Sequence, residues 1–271
     1  MLHGAVENSR IFYSESGKGL GWFLARAGFD VYMADLAGRG LSSPPIDGSS
    51  LHSQSDSICH EIPALLEAIA QRRPAAPVFW LAHSWGGVLL AAVLARQPHY
   101  LAQLKGLVFF GSKRTVHGLN PEKLLKVYFF WNRAAFALTR WYGYLPAAAL
   151  GVGSDSESLL SHRQCVDWVQ QDDWRDSADG FDYQAALRDL PLPPTLHIMG
   201  ASDCSLGHPD DVRRFQQELN SPAEFWLLSR RAGNLHDYDH INMLTHPDAV
   251  KDHFPRLLQW LQRHIALRPL S

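Results

Sequence analysis

Short apolar runs alternate along this chain with longer stretches in which apolar residues recur every three or four positions. The short runs predict strands of a parallel sheet buried on both faces, and the longer stretches predict helices that cover it. Five runs carry the strand signal: Phe29 to Ala34, Val78 to Ala82, Leu104 to Phe110, Thr195 to Met199 and Glu224 to Leu228. Between them, Ile58, Ile62, Leu65, Leu66 and Ile69 share one helical face, with Pro63 expected to kink or delay that helix. Val88 to Arg96 predicts a second helix, ended by Gln97-Pro98, and Val250, Phe254, Leu257, Leu258 and Leu261 a last amphipathic one.

From about Lys113 to Leu190 this rhythm breaks. Two helical segments, Glu122 to Tyr142 and Ser156 to Gln171, follow one another with no convincing strand between them. Tyr128, Trp131, Trp141, Tyr142, Tyr144, Trp168 and Trp174 concentrate here. An insertion of this length in an α/β pattern predicts a helical cap or lid over residues 113–190, with the core built from 1–112 and 191–271. Its segment Val127-Tyr128-Phe129-Phe130-Trp131 either lines an apolar pocket, touches a lipid surface, or packs on the core.

Composition narrows the function more than the fold. A net charge of −2 over 271 residues gives no basic field for a nucleic acid and no polybasic patch for a membrane surface. No run of some 18 apolar residues predicts a spanning helix, and residues from Met1 on show no basic stretch followed by an apolar one, so no signal peptide is expected from them. Cys59, Cys165 and Cys204 are odd in number and far apart, which predicts reduced thiols in a cytoplasmic protein rather than a disulfide framework. No cofactor signature is present.

The chemistry concentrates around Leu81-Ala82-His83-Ser84-Trp85-Gly86-Gly87. A strand leads into this segment and a helix leaves it. A serine on such a turn holds its hydroxyl clear of the backbone, small neighbours let strand and helix approach, and the helix N-terminus favours a developing oxyanion. The usual pattern is G-x-S-x-G, and Ala82 stands here for the first glycine. With this context the chain resembles an α/β-hydrolase over nearly its whole length, of the lysophospholipase-like and acid-lipase-like esterase group. Four further segments carry the resemblance: His3-Gly4-Ala5 (an oxyanion loop), Asp35 to Ser42 (the D-x-x-G-x-G-x-S turn), Met199 to Asp203 (the strand end with the acid) and Asp239 to Leu244 (the histidine loop).

The resemblance implies a triad of Ser84 as nucleophile, His240 as base and Asp203 as its orienting acid, with the backbone N–H groups of Trp85 and Ala5 as the oxyanion hole. Asp210 and Asp211 are rivals for the acid and His236 for the base. His236-x-x-x-His240 also has the spacing of a helical metal pair, but no zincin glutamate and no third ligand accompany it, so no metal is expected. His83 and Cys204 are expected to be packing residues, and Arg39 is given no role. The implied reaction is hydrolysis of a small-molecule or lipid-like carboxylic ester with an apolar acyl chain. Acyl transfer, amide or peptide cleavage, or an inactive hydrolase-like protein are the alternatives. The resembled family also places strands ahead of the oxyanion loop, where only Met1 and Leu2 precede His3. The expectation is that about 40 to 60 residues precede Met1 in the full protein, or else that the short form is unstable or inactive.

Overall fold

Four of the five apolar runs form one parallel sheet in the computed structural model, which describes residues 1–74 and 76–266. The strands are β1 (Val78–His83), β2 (Leu104–Phe110), β5 (Thr195–Gly200) and β6 (Ala223–Leu228), in the order β1-β2-β5-β6. A separate antiparallel pair joins β3 (Tyr144–Leu145) to β4 (Glu157–Ser158). In the main sheet Ala82 lies opposite Phe109, Phe110 opposite Ile198, and Gly200 opposite Leu228, so the carboxyl ends of all four strands come out on one side.

Side chains alternate across this sheet as the pleat requires. Trp80, Ala82, Leu107 and Phe109 join a core shared with the helix Trp85–Arg96 and with Trp168, Trp174 and Phe215. Leu81, Val108, Phe110 and Ile198 face the opposite core, formed with Leu20 and Leu24, Met243 and the helix His253–Ala266. Helices therefore cover both faces, and this is the α/β-hydrolase fold. The helix Trp85–Arg96 runs through the interior, with Trp85 to Ala95 all buried, which explains its lack of any polar face.

The fifth run is a correction. Phe29 to Ala34 makes no strand, only an isolated parallel bridge from Ala34 to Leu2, which is bridged in turn to Ala82. Leu2 thus sits between the two runs with a single rung on each side, and a strand needs a ladder partner along its length. The helix expected around Pro63 is continuous over 54–72, but Ser57–Glu61 widens to a π-helix just before Ile62–Arg72. That wider turn accommodates a proline ring that has no N–H to give. Val250 falls outside the last helix, in an exposed 3-10 turn at Pro247–Val250.

Within 113–190 the two expected helical segments are present. The first begins at Pro121–Lys123, widens into a π-helix at Leu124–Ala135 and ends with Phe136–Tyr142. The second is Leu159–Gln170. The β3–β4 pair between them and the helix Tyr183–Arg188 were not anticipated. Strands of two residues are too short to carry an alternating pattern.

Candidate active site

The backbone of Ser84 has φ 52° and ψ −124°, a conformation that non-glycine residues rarely adopt. It is held there from both sides. Its N–H donates to the Phe110 carbonyl at 2.8 Å, and the helix it caps starts at Trp85. A Cβ added to Gly86 would lie 2.5 Å from the His3 carbonyl oxygen, so only glycine lets the helix approach the His3-Gly4-Ala5 segment. Ala5, Ser84 and Trp85 then line one cavity of about 840 Å³ together with His240.

Asp203 sits just past the carboxyl end of β5, and His240 on the loop that follows β6. The two meet at 2.6 Å between His240 Nδ1 and Asp203 Oδ2, both nearly fully buried. The other carboxylate oxygen of Asp203 accepts the N–H of Leu206 at 2.9 Å. Burial alone would raise the pKa of Asp203, but His240 and the backbone donors outweigh it and hold the carboxyl down at about 2. An ionised Asp203 fixes the proton of His240 on Nδ1 and leaves Nε2 as a lone pair, the form a general base needs. Gly111, at φ 59°, passes beside this ring. A Cβ there would come within 2.9 Å of His240 Nδ1. No hydrogen bond joins Ser84 to His240 among the described residues, a looseness common in substrate-free sites.

The rival residues are engaged elsewhere. Asp211 pairs with Lys123 Nζ at 2.7 Å and accepts the His117 N–H, while Asp210 contacts Arg213 on the surface. His236 turns away from His240 to bond Asp248 at 2.8 Å. His236, His246 and Asp248 are the described residues best placed to hold a cation, with ligand atoms within 4.8 Å of one another. Asp248 there already serves His236 and Lys251, so the cluster is internally satisfied. Cys204 is exposed, a correction to its expected packing role, and all three cysteines are unpaired. Arg39 is buried in an ion pair with Glu157 and so ties the Asp35 to Ser42 turn to β4. In that turn Asp35 accepts the N–H groups of Ser9 and Leu41.

A second histidine–carboxylate pair was missed from sequence. His83, wholly buried, bonds Glu7 Oε2 at 2.8 Å through Nδ1 and the His240 carbonyl oxygen at 2.8 Å through Nε2. A carbonyl only accepts, so Nε2 carries a proton, and the Nδ1–Glu7 contact requires one more. Glu7 also accepts the Gly4 N–H at 2.9 Å. Burial opposes charge on both partners, yet their attraction holds Glu7 down at about 2 and raises the pKa of His83. Both shifts favour the imidazolium–carboxylate form of the pair. The pair joins the His3-Gly4-Ala5 segment, the Ser84 turn and the backbone of His240. Its only trace in the sequence is a Glu four residues after His3.

Fold and site together define an α/β-hydrolase serine hydrolase. The chain belongs to the serine aminopeptidase S33 family, whose model matches residues 1–187. No curated protein matches it. Among solved structures it is similar to a metagenome-derived lipolytic enzyme from work on LipS and LipT, at 18% identity over 97% of this chain and 92% of that one, with a TM-score of 0.61. It is similar to a monoacylglycerol lipase of Paleococcus ferrophilus, at 18% identity over 97% and 93% of the two chains, with a TM-score of 0.60. The esterase RhEst1 of Rhodococcus sp. ECU1013 gives 19% identity over 96% and 88%, with a TM-score of 0.55. At these identities the three structures share the fold. No described helix is long and apolar enough to cross a membrane.

Proposed function

We propose that the protein hydrolyses carboxylic esters with an apolar acyl chain, through an acyl-enzyme on Ser84. The observation that carries this reading is the strained Ser84 opening, with His240, into one largely apolar cavity, while Asp203 bonds His240 from behind at 2.6 Å. His240 takes the proton of Ser84 as the hydroxyl attacks the ester carbonyl. The N–H groups of Trp85 and Ala5 receive the oxyanion, and the imidazolium returns its proton to the leaving alcohol. Water, activated by the same histidine, then releases the acid. Residues 113–190 act as a lid whose Val127, Phe129, Phe130 and Trp131 form the acyl wall.

Peptide cleavage is the reading suggested by the family's description, and the charges of the cavity weigh against it. An aminopeptidase must hold the free amino group of its substrate, which calls for an available carboxylate. Among the described residues lining this cavity, the one acidic side chain is Glu7, and it is committed to His83 and Gly4. Turnover of matched octanoyl ester, thioester and anilide substrates, with mass spectrometry of the quenched protein, tests the proposal. The ester should be cleaved fastest and leave an octanoyl adduct on Ser84. Preferential cleavage of an aminoacyl anilide would replace the ester reading with the peptidase one.

A further inference from the structure

Lys113 is three residues beyond the carboxyl end of β2, the strand that lies between the nucleophile strand β1 and the acid strand β5. Its side chain is half-buried and lines the cavity that holds Ser84 and His240. Two other cations line that cavity, and both are answered. Arg10 pairs with Glu15 at 2.5 Å, and Lys126 with Glu122 at 2.5 Å. Lys113 has neither a hydrogen bond nor an ion pair among the described residues.

The nearby carboxylates are spoken for. Asp203 serves His240 and Leu206, Glu7 serves His83 and Gly4, and Asp211 serves Lys123 and His117. Burial lowers the pKa of Lys113, while the more distant charges of Asp211 and Asp203 pull it back up. A half-buried ammonium with no partner among the described residues is a ready contact for an anionic group that enters the cavity. The lining also carries the neutral Asn8, Ser154 and Thr245 and the apolar Val127, Phe130, Trp131 and Val169, none of which brings a countercharge.

The geometry points to Lys113 as a substrate-binding residue that selects esters carrying a carboxylate on the acyl chain or on the leaving alcohol. A single ammonium matches a monoanion, whereas a phosphate monoester approaches two charges and three strong acceptors and calls for more than one cation. The low-dielectric apolar residues of the cavity strengthen such a pairing relative to one in open solvent. This inference rests on the ester reading of Ser84.

The experiment compares kcat/KM for two matched pairs of substrates. The acyl-side pair is mono-4-nitrophenyl suberate against 4-nitrophenyl octanoate. The alcohol-side pair is 4-carboxyphenyl octanoate against its neutral methyl ester. An apolar cavity without an available cation rejects a carboxylate, so the wild type should hydrolyse the anionic member of one pair at least as well as the neutral member. In K113M that anionic-to-neutral ratio should fall about 10- to 100-fold, the range of a charge-assisted contact, mainly through KM. K113R should keep the ratio within about 3-fold, well inside a single charge-assisted contact. A wild-type ratio far below one in both pairs overturns the inference without recourse to any variant. So does a ratio that K113M leaves unchanged, while turnover of the neutral esters leaves the ester reading standing. Failure of the wild type to cleave any of the four esters overturns the ester reading and this inference with it.

Discussion

Two histidine–carboxylate pairs lie side by side in this protein, their rings 4.6 Å apart, and only one of them can do acid–base chemistry. His240, which lines the cavity, gives Nδ1 to Asp203, and its Nε2 has no hydrogen bond among the described residues. His83 gives Nδ1 to Glu7 and Nε2 to the backbone of His240, so it has no nitrogen left for a substrate. The residue types and the 2.6 and 2.8 Å contacts are nearly the same. On the proposed mechanism, what separates a base from a brace is whether the second nitrogen is already taken.

The comparison is broken most directly at the two carboxylates. Asp203→Asn should lower kcat by about 10⁴-fold, because the wrong tautomer of His240 then faces Ser84. Glu7→Gln should lower kcat far less and instead cost about 1.5 to 3 kcal/mol of stability, since it replaces a charge-assisted bond and leaves His83 neutral. Steady-state kinetics beside urea titrations reads both effects. A large kcat loss for Glu7→Gln with unchanged stability would mean that His83 takes part in the chemistry.

The pairs also separate with pH. Glu7 and Asp203 are both held at about 2, below their usual values, so the stability each gives is full above about pH 4.5 and is lost as pH falls towards 2. For Asp203 this amounts to about 2 kcal/mol. The pKa of His83 is raised, so its contribution is full below about pH 6.5 and fades as pH rises through the raised folded value. Urea midpoints measured across pH should therefore decline on the alkaline side in the wild type. Glu7→Gln should flatten that decline, and Asp203→Asn should not.

A third buried histidine sharpens the contrast from the other side. Among the described residues, His197 on β5 has no hydrogen-bond partner on either nitrogen; it lies between Phe109 and Phe225, and burial drives its pKa down to about 3. It gains nothing from its polarity. His197→Leu should raise stability by about 1 kcal/mol at neutral pH. The gain should be larger at pH 5, where the unfolded wild type takes up a proton that the folded state refuses. Thermal denaturation at the two pH values checks it, and a lowered Tm at both would show that the ring has a partner.

Much of this architecture is legible in the sequence because it rests on local pattern. Apolar runs of strand length, the Ser84 turn between a strand and a helix, and the order Ser84, Asp203, His240 are all carried by neighbouring residues. What escaped depends on contacts distant in the chain. Glu7 and His83 are 76 positions apart, and neither sits in a periodic pattern. Phe29 to Ala34 has the composition of a strand and lacks only a partner along its length, which composition cannot reveal. The place of Cys204 beside Asp203 suggests a packed filler, yet the loop turns it outwards.

The central claim is that Ser84 is a nucleophile made reactive by the His240–Asp203 pair. Labelling of the folded protein with an alkyl fluorophosphonate, followed by peptide mass mapping, tests it most directly. The account predicts one adduct per chain, on Ser84, forming at least 10³-fold more slowly in Asp203→Asn, an estimate of about the triad's usual dependence on its acid, and absent in Ser84→Ala. A folded wild-type protein that stays unlabelled, or is labelled at another residue, would contradict it.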